Sequence, residues 1–418
     1  MRFAVWFLGI CILLLSLQGA TQDQPRDPFF GMHIHRADAG TAWPNVRFGA
    51  WRLWDANVAW PNLEPRRGQW DFSRLDRYVA LGERFGIDIL LPLGLSPTWA
   101  SARPNEKSSY QPGNAAEPAE MDNWIRYIRT VAQRYKGRVR NFDIWNEVNE
   151  VGFFSGTMTK MVELTCAAQQ VLREVSSENK VVSPSMIGAG SEPAKFEEFL
   201  RLGGKSCIDV VGYHFYVPHR EPEEIVELVR RVQQAMVRQG AGGLPLWNTE
   251  SGWWLANSDG SPEAGADTRW RRVAMIDGPA VVARTLILGR AAGIERFYWY
   301  AWDNRVLGLI EPSTGTPKPA AIAFATLIRW MSGLKPQCSS TNGQWVCRLA
   351  AESGRMSRIA WRVTGASPSL TLPAGERIVA VERLDGTVRE DFMTKTKGRH
   401  IVSLDSEPVL VISELQLK

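Results

Sequence analysis

Eight short apolar runs recur along the first three quarters of this chain, and helical patterns separate most of them. They lie near Phe30–His35, Phe48–Trp54, Asp88–Gly94, Asn141–Glu147, Val181–Met186, Ile208–Tyr216, Leu246–Gly252 and Arg296–Trp302. Continuous hydrophobicity, rather than alternation, marks strands buried on both faces, as in a parallel sheet. Between the third and fourth runs, Trp124, Ile128, Val131 and Tyr135 recur at helical spacing. Asp71 or Ser73 can cap the helix before strand three, and Gly86 can close it. Further helices are predicted over Thr157–Asn179, Pro193–Leu202, Glu221–Gln239, Pro279–Ala292 and Pro319–Met331. Only a short, Pro-broken connection joins strands one and two. This alternation predicts an α/β protein, a (β/α)8 TIM barrel over residues 28–334.

Near Lys335 the helical periodicity stops. Short alternating stretches follow at Trp345–Leu349, Arg358–Val363, Ser369–Leu372, Ile378–Arg383 and Val409–Ile412. They predict a small accessory antiparallel β-domain over residues 335–418. Cys338 and Cys347 flank Asn342-Gly343 symmetrically, and Asn-Gly is the strongest short hairpin signal. Counting outward from a two-residue turn puts the two cysteines at a non-hydrogen-bonded pair, where strands approach closest. A cross-strand disulfide is expected there. Cys166 and Cys207 can also pair, but the sequence does not fix their distance. The loop Ala256–Gly265 can fold over the mouth as a lid or remain an ordinary exposed loop.

Residues 1–20 read as a signal peptide or N-terminal anchor: Arg2, an apolar run from Ala4 to Leu17, then Gln18-Gly19-Ala20. Gln18 is a poor residue before a cut after Ala20, so an uncleaved anchor remains open, although the run is short for a span. Export to the periplasm or outside the cell is expected, with an even number of cysteines, four, after the signal. The net charge of +5 is too small and dispersed for a nucleic-acid footprint. It permits an acidic polysaccharide without arguing for one.

The chemistry is carried by two strings, Ile144-Trp145-Asn146-Glu147 and Trp247-Asn248-Thr249-Glu250. Each is an apolar strand running into a carboxylate, and a buried carboxylate is costly unless it is partnered. Barrel sites lie at the C-terminal strand ends, so strands four and seven bring these glutamates together. Two carboxylates are what glycosidic-bond hydrolysis needs. A separation of about 5 Å predicts retention of anomeric configuration, and roughly 6.5–9.5 Å predicts inversion. Many of the 18 Trp lie near strand ends, including Trp54, Trp99, Trp254 and Trp302. Indoles that stack on sugar C–H faces suit a carbohydrate groove. His33 and His35 share a strand face, but no third ligand accompanies them, so sugar contact or barrel filling is expected rather than a metal. No dinucleotide fingerprint, phosphate loop or nucleophile elbow is present, and no cofactor is expected.

The chain resembles clan A of the glycoside hydrolases, most closely family 39 and related exopolysaccharide-degrading endoglycosidases. Asn146-Glu147 and Glu250 carry the resemblance, together with the segment Asn62-Leu63-Glu64-Pro65-Arg66-Arg67-Gly68-Gln69-Trp70-Asp71-Phe72-Ser73-Arg74-Leu75-Asp76. So do Asp209-Val210-Val211-Gly212-Tyr213-His214-Phe215-Tyr216 and Phe297-Tyr298-Trp299-Tyr300-Ala301-Trp302. The resemblance implies a retaining hydrolase of polysaccharides or oligosaccharides, with Glu147 as acid/base and Glu250 as nucleophile. It implies that Arg52 and Tyr216 donate to Glu250, that Asn146 meets the sugar 2-hydroxyl, and that His214 and Trp302 line the cleaved-bond subsite. Trp99 and His35 join them as candidate substrate-binding residues. Arg52 paired with Asp55, and His214 as a satisfied core histidine, are the structural alternatives. Asn-Glu occurs a second time at Asn149-Glu150; Glu147 is preferred because it directly follows the strand. A non-catalytic carbohydrate-binding barrel, or a transglycosylase using the same glutamates, is the competing reading.

Overall fold

The computed structural model describes residues 26–188, 193–265, 267–349, 355–363, 365, 368–388, 393–396 and 399–415. The expected signal peptide or N-terminal anchor, residues 1–20, lies outside the described residues.

All eight runs form parallel strands: β1 (Phe30–Met32), β2 (Ala50–Arg52), β3 (Asp88–Leu93), β4 (Asn141–Ile144), β5 (Lys180–Val182), β6 (Val211–Tyr213), β7 (Leu246–Ser251) and β8 (Arg296–Trp299). The sheet runs β5-β4-β3-β2-β1-β8-β7-β6. Isolated parallel bridges, Val182 with Val210 and Ile187 with His214, close the seam between β5 and β6. Ala50, Leu90, Val182, Val210, Trp247 and Tyr298 form a separate buried cluster that fills the barrel interior. Arg52, two residues after Ala50, therefore points into the same interior one layer higher.

Among the described residues, and apart from the single turn Trp60–Leu63, seven helices surround the sheet: α1 (Ser73–Phe85), α2 (Met121–Arg134), α3 (Met158–Val175), α4 (Ala194–Arg201), α5 (Glu224–Arg238), α6 (Gly278–Ala291) and α7 (Pro319–Met331). No helix follows β1, as the short connection predicts. At the start of α1 the Asp71 carboxylate accepts from the Ser73 N–H at 2.9 Å. At its end Gly86 takes the left-handed conformation (φ 61°) that other residues avoid. The segment after β2 is a structural knot. Buried Glu64 accepts from the Trp60 indole at 2.9 Å and the Gly68 N–H at 2.7 Å, and pairs with Arg126 at 2.7 Å.

The C-terminal region folds as two antiparallel sheets. β9 (Gln337–Thr341), β10 (Gln344–Arg348), β11 (Arg355–Arg362), β13 (Glu376–Glu382) and β16 (Val409–Leu415) form the first, in the order β9-β10-β11-β16-β13. β12 (Ser369–Thr371), β14 (Met393–Thr396) and β15 (Arg399–Ser403) form the second. The alternating pattern did not reveal β14 and β15, whose residues are largely polar or small. Cys338 sits opposite Cys347 and is bonded to it, with a Cα–Cα separation of 3.9 Å. Asn342 and Gly343 both have positive φ, as a two-residue hairpin turn requires. Cys166 of α3 is bonded to Cys207, in the turn before β6.

Candidate active site

The strand ladders stop at different heights below the mouth. β7 continues through Glu250 to Ser251, so Glu250 is held by the sheet. β4 ends at Ile144, three residues before Glu147, which is earlier than the sequence implies. Trp145 (φ 63°) and Glu147 (φ 44°) then take left-handed backbone, which is costly for such residues. The turn is held from both sides: the Trp145 N–H bonds the Leu93 carbonyl, and the Val148 N–H bonds the Ser185 carbonyl. This twist turns the Glu147 side chain toward the barrel axis. Just beyond Glu250, a Cβ at Gly252 would lie 1.9 Å from the Tyr300 carbonyl oxygen, so only glycine lets the β7 and β8 exits meet there.

Arg52, fully buried, organises the floor with three nitrogens. Nε donates to Asp143 at 2.8 Å, Nη1 to Glu250 at 2.9 Å and Nη2 to Asn146 at 2.8 Å. Its pairing with Asp55, the structural alternative, does not occur. Tyr216 donates its hydroxyl to Glu250 at 3.0 Å. His214 Nδ1 lies 2.9 Å from a Glu147 oxygen and 3.9 Å from a Glu250 oxygen, while its buried Nε2 has no partner. An imidazole with an unpartnered nitrogen between two carboxylates is not a satisfied core histidine. One ligand atom from each of Glu147, His214 and Glu250 lies within 4.8 Å of the others. Among the described residues this is the group of acid and imidazole ligands close enough to grip a cation, but the Arg52 guanidinium already neutralises it. A cation there would face that positive charge at close range.

Burial dominates the electrostatics. It raises the Glu147 carboxyl to about 7, against the pull of Arg52, and the charges of Glu150 and Asp55 add to the rise. It raises Glu250 too; His214 and Arg52 oppose the shift, and Glu147 repulsion adds to it. Burial likewise raises Asp143 to about 6 despite Arg52. Desolvation lowers His214 to about 3, so its ring is neutral at working pH.

The other sequence candidates fall on two sides of this centre. His35 packs on the Tyr300 ring at 4.9 Å, and its backbone N–H bonds Asp303 at 2.8 Å. Trp302 is buried and lines a cavity of about 440 Å³ with Arg36, Thr41, Trp43 and the 312–317 loop. Trp99 stands apart from the glutamates. Its N–H donates to the Glu64 carbonyl at 2.9 Å, its ring meets Trp60 edge-on, and Arg126 lies over it. Glu150 is exposed in the loop after Glu147. His33 is buried, with Nε2 3.1 Å from the Thr249 carbonyl.

Sequence reasoning gave four residues no place at the site, Asp55 entering only as a structural partner for Arg52. Asp143 lies beneath Arg52. Asp55 accepts the hydroxyls of both Tyr110 and Tyr300 at 2.6 Å, joining the exits of β2, β3 and β8. The one available signal was position: Asp143, Asp55 and Tyr300 lie inside or just past strand runs. Tyr110 sits in a long loop and carried no signal. The Ala256–Gly265 loop is pinned rather than lid-like: Glu263 accepts from Trp254 and Arg272, and Ser258 bonds Glu311.

A (β/α)8 barrel with two carboxylates buried side by side at its C-terminal mouth defines a barrel hydrolase. Comparison with known proteins refines this class. The family model for glycosyl hydrolases family 39 matches residues 8–262. The chain belongs to that family and is a glycosidase with a carbohydrate substrate. Solved structures agree on the fold. A family 39 glycoside hydrolase from Bacteroides cellulosilyticus WH2 superposes with TM-score 0.65 at 17% identity, covering 88% of this chain and 76% of that one. A monomeric β-xylosidase from Caulobacter crescentus CB15 gives 0.62 at 17%, covering 88% and 90%. A GH39 enzyme from Xanthomonas axonopodis pv. citri gives 0.63 at 17%, covering 94% and 95%.

Proposed function

We propose that this glycosidase is a retaining enzyme acting on a polysaccharide or oligosaccharide by double displacement. The carrying observation is the approach of Glu147 and Glu250 oxygens to within 4.8 Å. That spacing suits direct attack on the anomeric carbon and leaves little room for the water an inverting enzyme places between its carboxylates. The partners divide the roles. Glu250 accepts charge-assisted donation from Arg52 and a hydroxyl from Tyr216, which favours the carboxylate form of a nucleophile. Burial raises both carboxyls to about 7, so the division rests on the direct donors: no guanidinium is bonded to Glu147, which leaves it the group to hold the acid's proton. With its proton on Nδ1, neutral His214 donates to Glu147 Oε1 and leaves the other oxygen to carry the acid proton. Asn146, held through its Oδ1 by Arg52, keeps its amide N–H free for the sugar 2-hydroxyl.

In the first step Glu250 bonds to the anomeric carbon while Glu147 protonates the departing oxygen. In the second, Glu147 takes a proton from water, whose oxygen displaces Glu250. Residues 1–20 serve as the export signal or anchor in this reading, and the two disulfides support an oxidising compartment. Among the described residues no helix is long and apolar enough to cross a membrane. The test is a panel of 4-nitrophenyl glycosides, with β-xylosides included, alongside polysaccharides, and NMR of the nascent anomer. Retained configuration supports the mechanism, inverted configuration refutes it, and binding without turnover means a non-catalytic barrel.

A further inference from the structure

Beside the glutamates, on the far side of the Asp55–Tyr110 contact, lies a cavity of about 210 Å³. It opens on the same barrel face, between the exits of β2 and β3. Its floor is apolar: Leu53, Pro61, Pro92 and Leu95. Trp54 forms one wall. Three amide side chains, Asn57, Asn62 and Gln111, stand exposed at its edge and make no side-chain hydrogen bond among the described residues. The Asn114 amide, by contrast, donates to the Ser96 carbonyl and accepts from the Gln111 N–H, bracing the loop. Asn57 is also held in left-handed backbone (φ 56°), which fixes its place on the pocket edge.

We infer that this pocket is a second sugar subsite, taking one neutral pyranose unit of the substrate beyond the residue at the cleaved bond. An apolar floor with an indole wall suits sugar C–H faces, and free amides both donate to and accept from hydroxyls. The volume holds about one ring. The charged group in the lining is Asp55, a carboxylate already receiving two tyrosine hydroxyls. It would repel a uronate and accept from a neutral sugar's hydroxyl. Trp54 links the pocket to the chemistry: its ring lies 5.7 Å from the guanidinium of Arg52, which donates to Glu250 at 2.9 Å. The subsite and the cleaved bond are therefore close enough for one oligosaccharide to occupy both. This inference rests on the hydrolase reading and adds that the enzyme recognises more than the sugar it releases.

Two variants of the full chain test it. Asn57→Gly/Gln111→Ala removes two amides, and glycine keeps the left-handed backbone at position 57. Asn62→Trp sets an indole over the pocket from an exposed position. The substrates are the 4-nitrophenyl monosaccharide glycoside cleaved fastest in the panel and the tetrasaccharide of the same sugar. Where no monosaccharide glycoside turns over, an unchanged denaturation midpoint reports correct folding in its place. For both variants kcat/KM on the tetrasaccharide should fall about tenfold or more, mostly through KM, as losing one or two hydrogen-bonded contacts implies. The aryl glycoside should stay within about twofold, which also reports correct folding. Equal losses on both substrates, or an unchanged tetrasaccharide rate, overturn the subsite. A wild type inert toward the whole panel overturns the hydrolase reading instead, and the subsite with it.

Discussion

Arg52 touches three groups through three nitrogens, and no other cationic side chain can reproduce that fork. Replacing it by Met leaves Asp143 buried without its cation. The expected cost is about 3–5 kcal/mol, read as a lower denaturation midpoint. Arg52→Met/Asp143→Leu should recover much of that stability but no activity, because Glu250 keeps the Tyr216 hydroxyl but lacks its cation. The glutamates separate more sharply. Glu250→Ala should nearly abolish turnover, with azide rescuing it as a glycosyl azide of inverted configuration. Glu147→Ala should keep substrates with good leaving groups active, with azide giving the retained product. Glu150→Ala should change little. A raised carboxyl also affects stability. Between the ordinary value of 4.5 and about 7, folded Glu147 holds a proton that the unfolded chain has released. Its contribution is therefore complete at acid pH and is lost as pH rises through 7. Glu147→Gln should accordingly be more stable than wild type at pH 8, by on the order of 1–3 kcal/mol, and nearly equal to it at pH 4; calorimetry at both values checks the sign. Glu147 and Glu250 were legible because charge inside an apolar run is conspicuous. The Asp55–Tyr110–Tyr300 contact was not, because it joins three loops whose approach no local pattern encodes.

The eight barrel strands were legible as elements because a strand buried on both faces needs continuous hydrophobicity, and little else in the chain has it. Their ends were less so. Strand six was read through Tyr216, yet the continuous strand stops at Tyr213; His214 is held by a single bridge to Ile187, and Tyr216 projects from the loop beyond. The pairing of Cys338 with Cys347 could be counted from the Asn-Gly turn, whereas Cys166 and Cys207 meet only once α3 packs against the turn before β6. The two bonds differ in what they constrain. Cys166–Cys207 spans 41 positions of barrel, and Cys338–Cys347 spans 9 within a hairpin already closed by its own ladder. Loop-closure entropy assigns the longer bond about 4 kcal/mol. Cys166→Ser/Cys207→Ser should therefore lower Tm more than Cys338→Ser/Cys347→Ser, and the hairpin pair should leave kcat unchanged.

At the scale of the molecule, α6 does not fit a simple barrel. Helices around a barrel are expected to be apolar on one face, yet Ala280 through Gly289 of α6 are all buried. One side of α6 meets the sheet and α7. Further round, Leu288, Ala291 and Ala292 border a cavity shared with Pro336, Cys338 and Trp345 of the β-domain. Arg284 of α6, itself buried, pairs with Glu223 at the start of α5, and Glu223 also accepts from the Trp361 indole of β11 at 2.9 Å. Trp361 stacks on Trp345 at 5.7 Å, and Trp330 of α7 donates to Glu382 of β13 at 2.8 Å. Ile359, Trp361 and Leu410 belong to the same buried cluster as the barrel. The change of texture near Lys335 thus marks a change of architecture, and the core runs straight across it. We propose that the β-domain is a structural partner of the barrel. A chain ending at Leu334 should fail to accumulate as soluble, monodisperse protein, since α6 and α7 would present apolar faces to water. Trp361→Ala is the gentler probe. Truncating a fully buried indole should cost about 3–5 kcal/mol, and calorimetry should show a single transition moved as a whole to lower temperature, with kcat preserved below it. Two transitions, with the barrel's unmoved, would mean that the β-domain is an independent module.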